Sequence, residues 1–195
     1  MTTIAIGRLL MANTAGCMIG CQVPAQDAPA FGQMVRIPLE VGSQIFGLVH
    51  EIHIDDDGLV RQLAGSTNLA EEIIEDNRRN RNMPVEMSVA FIGWQSGITL
   101  SHTRPPRPPL SLDKIYPCSD EEVAAFCAGG KFSYLRMLLR NEELPVADLL
   151  AAHLRQVRSA GGADLENALR EVIALLKDDY PQLMDLLSAV SEVME

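Results

Sequence analysis

The chain has 195 residues, of which 47% are hydrophobic and 22% charged, with a formal net charge of −10. That composition excludes disordered, collagenous and low-complexity classes. The negative balance argues against a general nucleic-acid binder, since neutralising phosphates needs a basic surface. No window offers the ~20 mostly apolar residues of a membrane span.

Four cysteines, at 17, 21, 118 and 127, match no disulfide framework, and free thiols in a reducing cytosol are the expectation. The stretch Leu9 to Cys17 has the outline of a lipoprotein signal. No Lys or Arg precedes the apolar run, Arg8 sits inside the first stretch, Ile4–Met11, and Thr14 replaces an aliphatic residue, so a cytoplasmic chain is expected.

The first part of the chain reads as strands. Ile4–Met11 is β-rich and ends in a turn at Asn13-Thr14-Ala15-Gly16. In Cys17–Val23 the odd positions are all apolar, so one face is buried. Met34–Leu39 precedes Ile45–Ile54, and Pro38, which cannot donate to a ladder, marks a strand end or an edge. Val85–Trp94 is the clearest later strand, and Ile98-Thr99-Leu100 reads as a short final one. The alternation points Ile6, Ile19, Cys21, Val35, Ile37, Val49, Val89 and Phe91 inward. Short strands broken by Gly and Pro predict a small closed barrel over residues 1–103. A short helix is predicted inside it near 69–81, where Leu69, Ile73 and Ile74 share one face.

Four prolines within Pro105–Pro109 predict a semi-rigid linker over 104–118. Beyond it the hydrophobic period becomes helical. Ser119-Asp120-Glu121-Glu122 is a capping box. Helices are predicted to about Ala128, over Lys131–Glu143, from Val146, from Leu165 and from Pro181. Each carries an apolar stripe, so a helical bundle is expected over 119–195, giving an α+β chain with an N-terminal β-barrel. Charge is uneven: residues 1–116 carry 9 basic and 12 acidic groups, residues 117–195 carry 7 and 14.

The residues offer little catalytic chemistry. Gly129-Gly130-Lys131-Phe132-Ser133 has Ala125 and Phe132 where a phosphate loop needs Gly and a hydroxyl, and reads as a helix–helix turn. On a strand His50 and His53 face opposite ways and cannot share a metal. Cys17 and Cys21 share their face with Ile19 and Val23, as buried small hydrophobes. His153 lies on an apolar helical stripe and reads as a hydrogen-bonded core or interface histidine. No Ser sits in a Gly-x-Ser-x-Gly elbow, and Asp55-Asp56-Asp57-Gly58 lacks the downstream Glu of a calcium loop. No catalytic residue, cofactor or metal ligand is therefore assigned, and the chain is read as no enzyme. Two candidate partner surfaces remain. Arg78 and Arg79 form a basic cluster that would meet an acidic surface, or pair with the acids before them. Leu183, Leu186, Leu187 and Val190 form a stripe near the C-terminal end, for a partner, a second copy or the chain's own helices.

The barrel half resembles the HAS-barrel, the β-barrel of HerA-type DNA-translocating ATPases and of rotary ATP synthase N-termini. The resemblance rests on Ile6-Gly7-Arg8-Leu9-Leu10, on Gly32–Ile37 ahead of Phe46–Ile52, on Val89–Gly93, and on Arg104–Pro109 through Tyr116–Glu122. It covers about residues 3–123. In that family the barrel leads into a P-loop ATPase domain, whereas here an acidic helical stretch with no Walker motif follows. The family's ATP-binding residues have no positions to occupy. What the resemblance implies is the barrel's role in ring assembly and partner docking. The expected function is thus a non-catalytic assembly or adaptor protein, docking to a HerA-like ATPase, to a nuclease or to itself, with no direct nucleic-acid contact. The alternative is a small-ligand binder or enzyme at the barrel mouth, with His50, His53 or His102 as polar groups.

Overall fold

The computed structural model describes residues 4–21, 28–39, 42–54, 85–128, 132–161 and 165–194. The helix expected near 69–81, with Arg78 and Arg79, lies outside these residues.

Seven strands are described: β1 (Gly7–Ala12), β2 (Gly16–Cys21), β3 (Met34–Pro38), β4 (Ser43–Ile54), β5 (Val85–Ser96), β6 (Thr99–Ser101) and β7 (Lys114–Pro117). Six of them close a barrel in the order β2-β1-β7-β3-β4-β5, with β5 returning to pair β2. Every pairing is antiparallel. Short β6 hangs on β5 as the far arm of a hairpin. Closing so few strands demands strong coiling, and register shifts break the ladders at Leu9/Met11, Phe46/Gly47 and Val49/Glu51.

The lumen is filled by alternate residues of the six strands. Ile6, Ile19, Val35, Ile37, Val49, Val89 and Phe91 are buried there as the alternation predicts, with Cys21 half-buried against them. Leu9, Cys17, Ile45, Val85, Met87 and Ile115 complete the filling.

Two features differ from the sequence expectation. The stretch expected as a linker, 104–118, contains β7, which bonds to β1 and β3 and closes the barrel. The chain thus leaves the barrel after Pro117. Pro38 does end β3, beyond the two residues where β7 pairs with that strand.

The second difference concerns the helices: α1 (Asp120–Phe126), α2 (Leu135–Leu139), α3 (Val146–Ser159), α4 (Leu165–Leu175) and α5 (Tyr180–Met194). Their apolar faces share one core with the barrel's outer wall. Met34, Phe46, Leu48, Ala90 and Ile92 point outward from β3, β4 and β5 and are buried with Val123, Phe126, Leu135 and Leu150. Among the described residues, no helix is long and apolar enough to cross a membrane.

Local chemistry fixes this seam. Ser119 and Glu122 form the expected capping box, each side chain taking the other's backbone N–H. Glu122 also lies 2.7 Å from Nε of Arg36 on β3. That nitrogen makes no hydrogen bond along its N–H, so the contact is a charge pair. The Met34 N–H donates to Oε1 of Gln156 on α3 at 2.8 Å. Gly32 has φ +81°, and a Cβ there would collide with Ala152 of α3. At Gly93 a Cβ would stand 2.7 Å from the Ser101 carbonyl and 3.0 Å from the Phe126 ring, so the missing side chain is what lets α1 lie against β5.

Helix α2 is shorter than the 131–143 expected. It closes at Arg140, where the Asn141 side chain accepts the N–H of Glu143 and turns the chain.

Phe91 is 3% exposed inside the lumen. Phe91→Ala is expected to lower unfolding stability by ~3–5 kcal/mol in chemical denaturation. A loss below ~1 kcal/mol would show that the lumen packs without it.

Candidate functional site

A polar chain lies beneath the seam, on α1, the turn before α2, and α3. Tyr134 Oη is 2.7 Å from Nε2 of His153 and 3.7 Å from Sγ of Cys127. All three side chains are fully enclosed. His153 is thus a core histidine. Burial pushes its pKa down to about 4, raises the Tyr134 hydroxyl well above its ordinary value and lifts Cys127 to about 11. All three are therefore neutral near pH 7. His153 Nδ1 has no hydrogen-bond partner. One assignment gives the imidazole and phenol protons an acceptor: Nε2–H donates to Oη, Tyr134 O–H donates to Sγ, and Nδ1 is a bare lone pair. Fully enclosed, the three groups fix how α3 packs on the Tyr134 turn.

His102 caps the same cluster. Its ring lies 4.6 Å from Phe126 and 5.2 Å from Tyr134, centroid to centroid, and its nitrogens reach Ser133 Oγ and the Phe126 carbonyl at 3.2 Å.

A cavity of about 700 Å³ walled by Leu39, Ile45, Trp94 and the segment Pro105–Leu110 includes none of the histidines expected at a barrel mouth. His50 lies about 16 Å further along β4 by strand rise, in a cleft against β2, and His53 is exposed opposite Glu86. His102 belongs to the helical seam. All four cysteines are free thiols. Burial raises Cys17 to about 12 and pushes Cys118 higher still, so neither is a ready nucleophile. Among the described residues, no three His, Cys, Asp or Glu side chains gather as metal ligands.

The stripe on α5 divides. Leu186 and Val190 are buried at 1% and 2%, and α5 packs on α3, so these two belong to the chain's own core. They are not a free partner surface, because α3 presents the apolar face they need. Leu183 and Leu187 are half-buried beside them.

Two surfaces stand out that periodicity does not single out. The first is the β1 side of the barrel. On β1, Leu10 and Met11 are 48% and 60% exposed. Leu110 and Leu112, at 72% and 65%, lie on the loop that bonds back to β1 through Leu112 N–H to Leu9 O and Arg8 Nη1 to Leu112 O. The second is a cleft of about 720 Å³ lined by Arg104, Arg136 and Arg140, with Ala15, Met137 and the run Asn141–Glu143. A lone sequence signal pointed there: Arg136 and Arg140 stand one helical turn apart.

No protein-family model matches the chain, and no curated protein matches it in sequence.

The His153 pKa has a consequence for stability. Unfolded, the ring takes its proton near 6.5; folded, only near 4. The unfolded chain binds more protons in that window. Its contribution is therefore full above about pH 6.5 and is lost as pH falls toward 4, on the order of 3 kcal/mol in all. His50, also lowered by burial, acts in the same direction. Denaturation midpoints measured at pH 7 and pH 4.5 should fall less in His153→Gln than in the parent. Equal falls in the two proteins would contradict the assignment.

Proposed function

We propose that this chain is a non-catalytic assembly or adaptor module, its barrel of HAS-barrel type, docking to a HerA-like ATPase, to a nuclease or to a second copy of itself. The observation that carries this reading is the exposed apolar flank of Leu10, Met11, Leu110 and Leu112. The helices cover β3, β4 and β5, while Leu10, Leu110 and Leu112 are exposed on and beside β1, with Met11 in a cleft it shares with Asn141, Glu143 and Leu144. Exposed apolar side chains gathered on one side of a barrel suit a docking surface. Rigid closed barrels also suit docking, since little ordering cost falls on the scaffold when a partner binds. The buried state of the His153–Tyr134–Cys127 chain supports the non-catalytic part of the reading. A ligand site in the cavity walled by Leu39, Ile45 and Trp94 has less support, since no histidine lines it.

Size-exclusion chromatography with light scattering tests the proposal, on the chain alone and mixed with a HerA-like ATPase. Association is expected in one of the two experiments. The pair Leu10→Asp and Leu112→Asp should weaken that association at least tenfold while leaving the denaturation midpoint within about 0.5 kcal/mol of the parent, as for other surface changes. A strict monomer that binds no such partner would overturn the reading.

A further inference from the structure

Acidic residues outnumber basic ones 26 to 16, yet three arginines from separate parts of the chain face one concave space. Arg104 follows the β6 hairpin; Arg136 and Arg140 come from α2. Among the described residues, none of the three has a carboxylate within ion-pair distance. Arg136 spends one N–H on the His102 carbonyl, at 3.3 Å, which aims the rest of its guanidinium. Arg136 and Arg140 repel one another at i, i+4 spacing. Glu142 and Glu143 line the same cleft, but among the described residues neither pairs with any of the three, which leaves the guanidiniums to an external anion.

We propose that this cleft binds a phosphorylated polyol, its phosphate held by Arg104, Arg136 and Arg140. Three guanidiniums reaching one space from two elements suit a tetrahedral oxyanion, which offers separate oxygens to separate forks, better than a planar carboxylate, which one fork satisfies. Thr103 lines the cleft as well, its hydroxyl held by Trp94 Nε1 at 3.2 Å and Ser101 Oγ at 2.8 Å. The run after Arg140 selects the rest of the ligand. Glu142 and Glu143 are carboxylates that repel a second phosphate but receive hydroxyl groups, and Asn141, its Oδ1 taken by the Glu143 N–H, has its amide NH2 to donate. The same carboxylates disfavour an acidic peptide, whose successive side chains would meet them. At about 720 Å³ the cleft falls in the range of small-molecule sites.

Titration calorimetry on the full chain at low ionic strength tests this. The probes are ribose 5-phosphate, glucose 6-phosphate, glycerol 3-phosphate, ribose, inorganic phosphate and a deca-glutamate peptide. At least one sugar or glycerol phosphate is expected to bind tenfold more tightly than inorganic phosphate, and ribose should not bind. Arg136→Gln with Arg140→Gln should weaken that binding at least tenfold, with a thermal midpoint no lower than the parent's. Arg140→Gln alone gives the same direction if the double variant loses its fold. Glu143→Gln should narrow the preference over inorganic phosphate. The proposal is overturned if no phosphate ester outbinds inorganic phosphate, if the arginine variants bind as the parent does, or if the peptide alone binds.

Discussion

A barrel wall has two faces, and along β3, β4 and β5 both are apolar. Val35, Ile37, Val49, Val89 and Phe91 fill the lumen. Met34, Phe46, Leu48 and Ile92 point the other way and are no more than 3% exposed. At ~1.5–3 kcal/mol for each large apolar side chain, leaving those four in water would cost roughly 6–12 kcal/mol. That is comparable to the whole stability of a typical domain, ~5–15 kcal/mol. Even as an upper estimate it means the closed barrel is incomplete without its helical cover. The positions of α1, α2 and α3, which meet the wall, follow from that constraint, and α4 and α5 pack on them.

The cover explains several details that look unrelated in the sequence. Gly32 and Gly93 are bare where α3 and α1 come closest to the wall. Arg36, which points outward among apolar neighbours, is matched by Glu122 and stacks on Tyr116 at 5.1 Å. Gln156 supplies an acceptor to a strand N–H. The buried Tyr134 and His153 pair sits inside the seam, where an unpaired polar group would be costly and a paired one fixes a unique packing. The arginine cleft lies at the rim of the same seam, anchored to it through the His102 carbonyl.

Period-2 alternation made the lumen legible, down to the burial of Ile6, Ile19, Val35 and Phe91. The two-sided wall was visible in Val89-Ala90-Phe91-Ile92, a continuous apolar run, but such a run does not say what covers its second face. A helical stripe has the same limit: it shows that Leu186 and Val190 need a partner, not that the partner is α3. Strand β7 escaped because Lys114-Ile115-Tyr116-Pro117 is too short to alternate and follows a proline run, with Ile115 its one lumen residue. Of the cleft only the i, i+4 spacing of Arg136 and Arg140 was visible, since Arg104 joins them through the fold and shares no local pattern with them.

The central claim is that barrel and helices form one cooperative unit. The single tryptophan, Trp94, sits on β5 against the lumen core, while every helix among the described residues lies after 119 and reports in circular dichroism. Urea unfolding followed by both probes measures the two halves separately. A shared core predicts coincident midpoints and slopes. Two resolved transitions, with helical signal lost while the Trp94 environment persists, would contradict it.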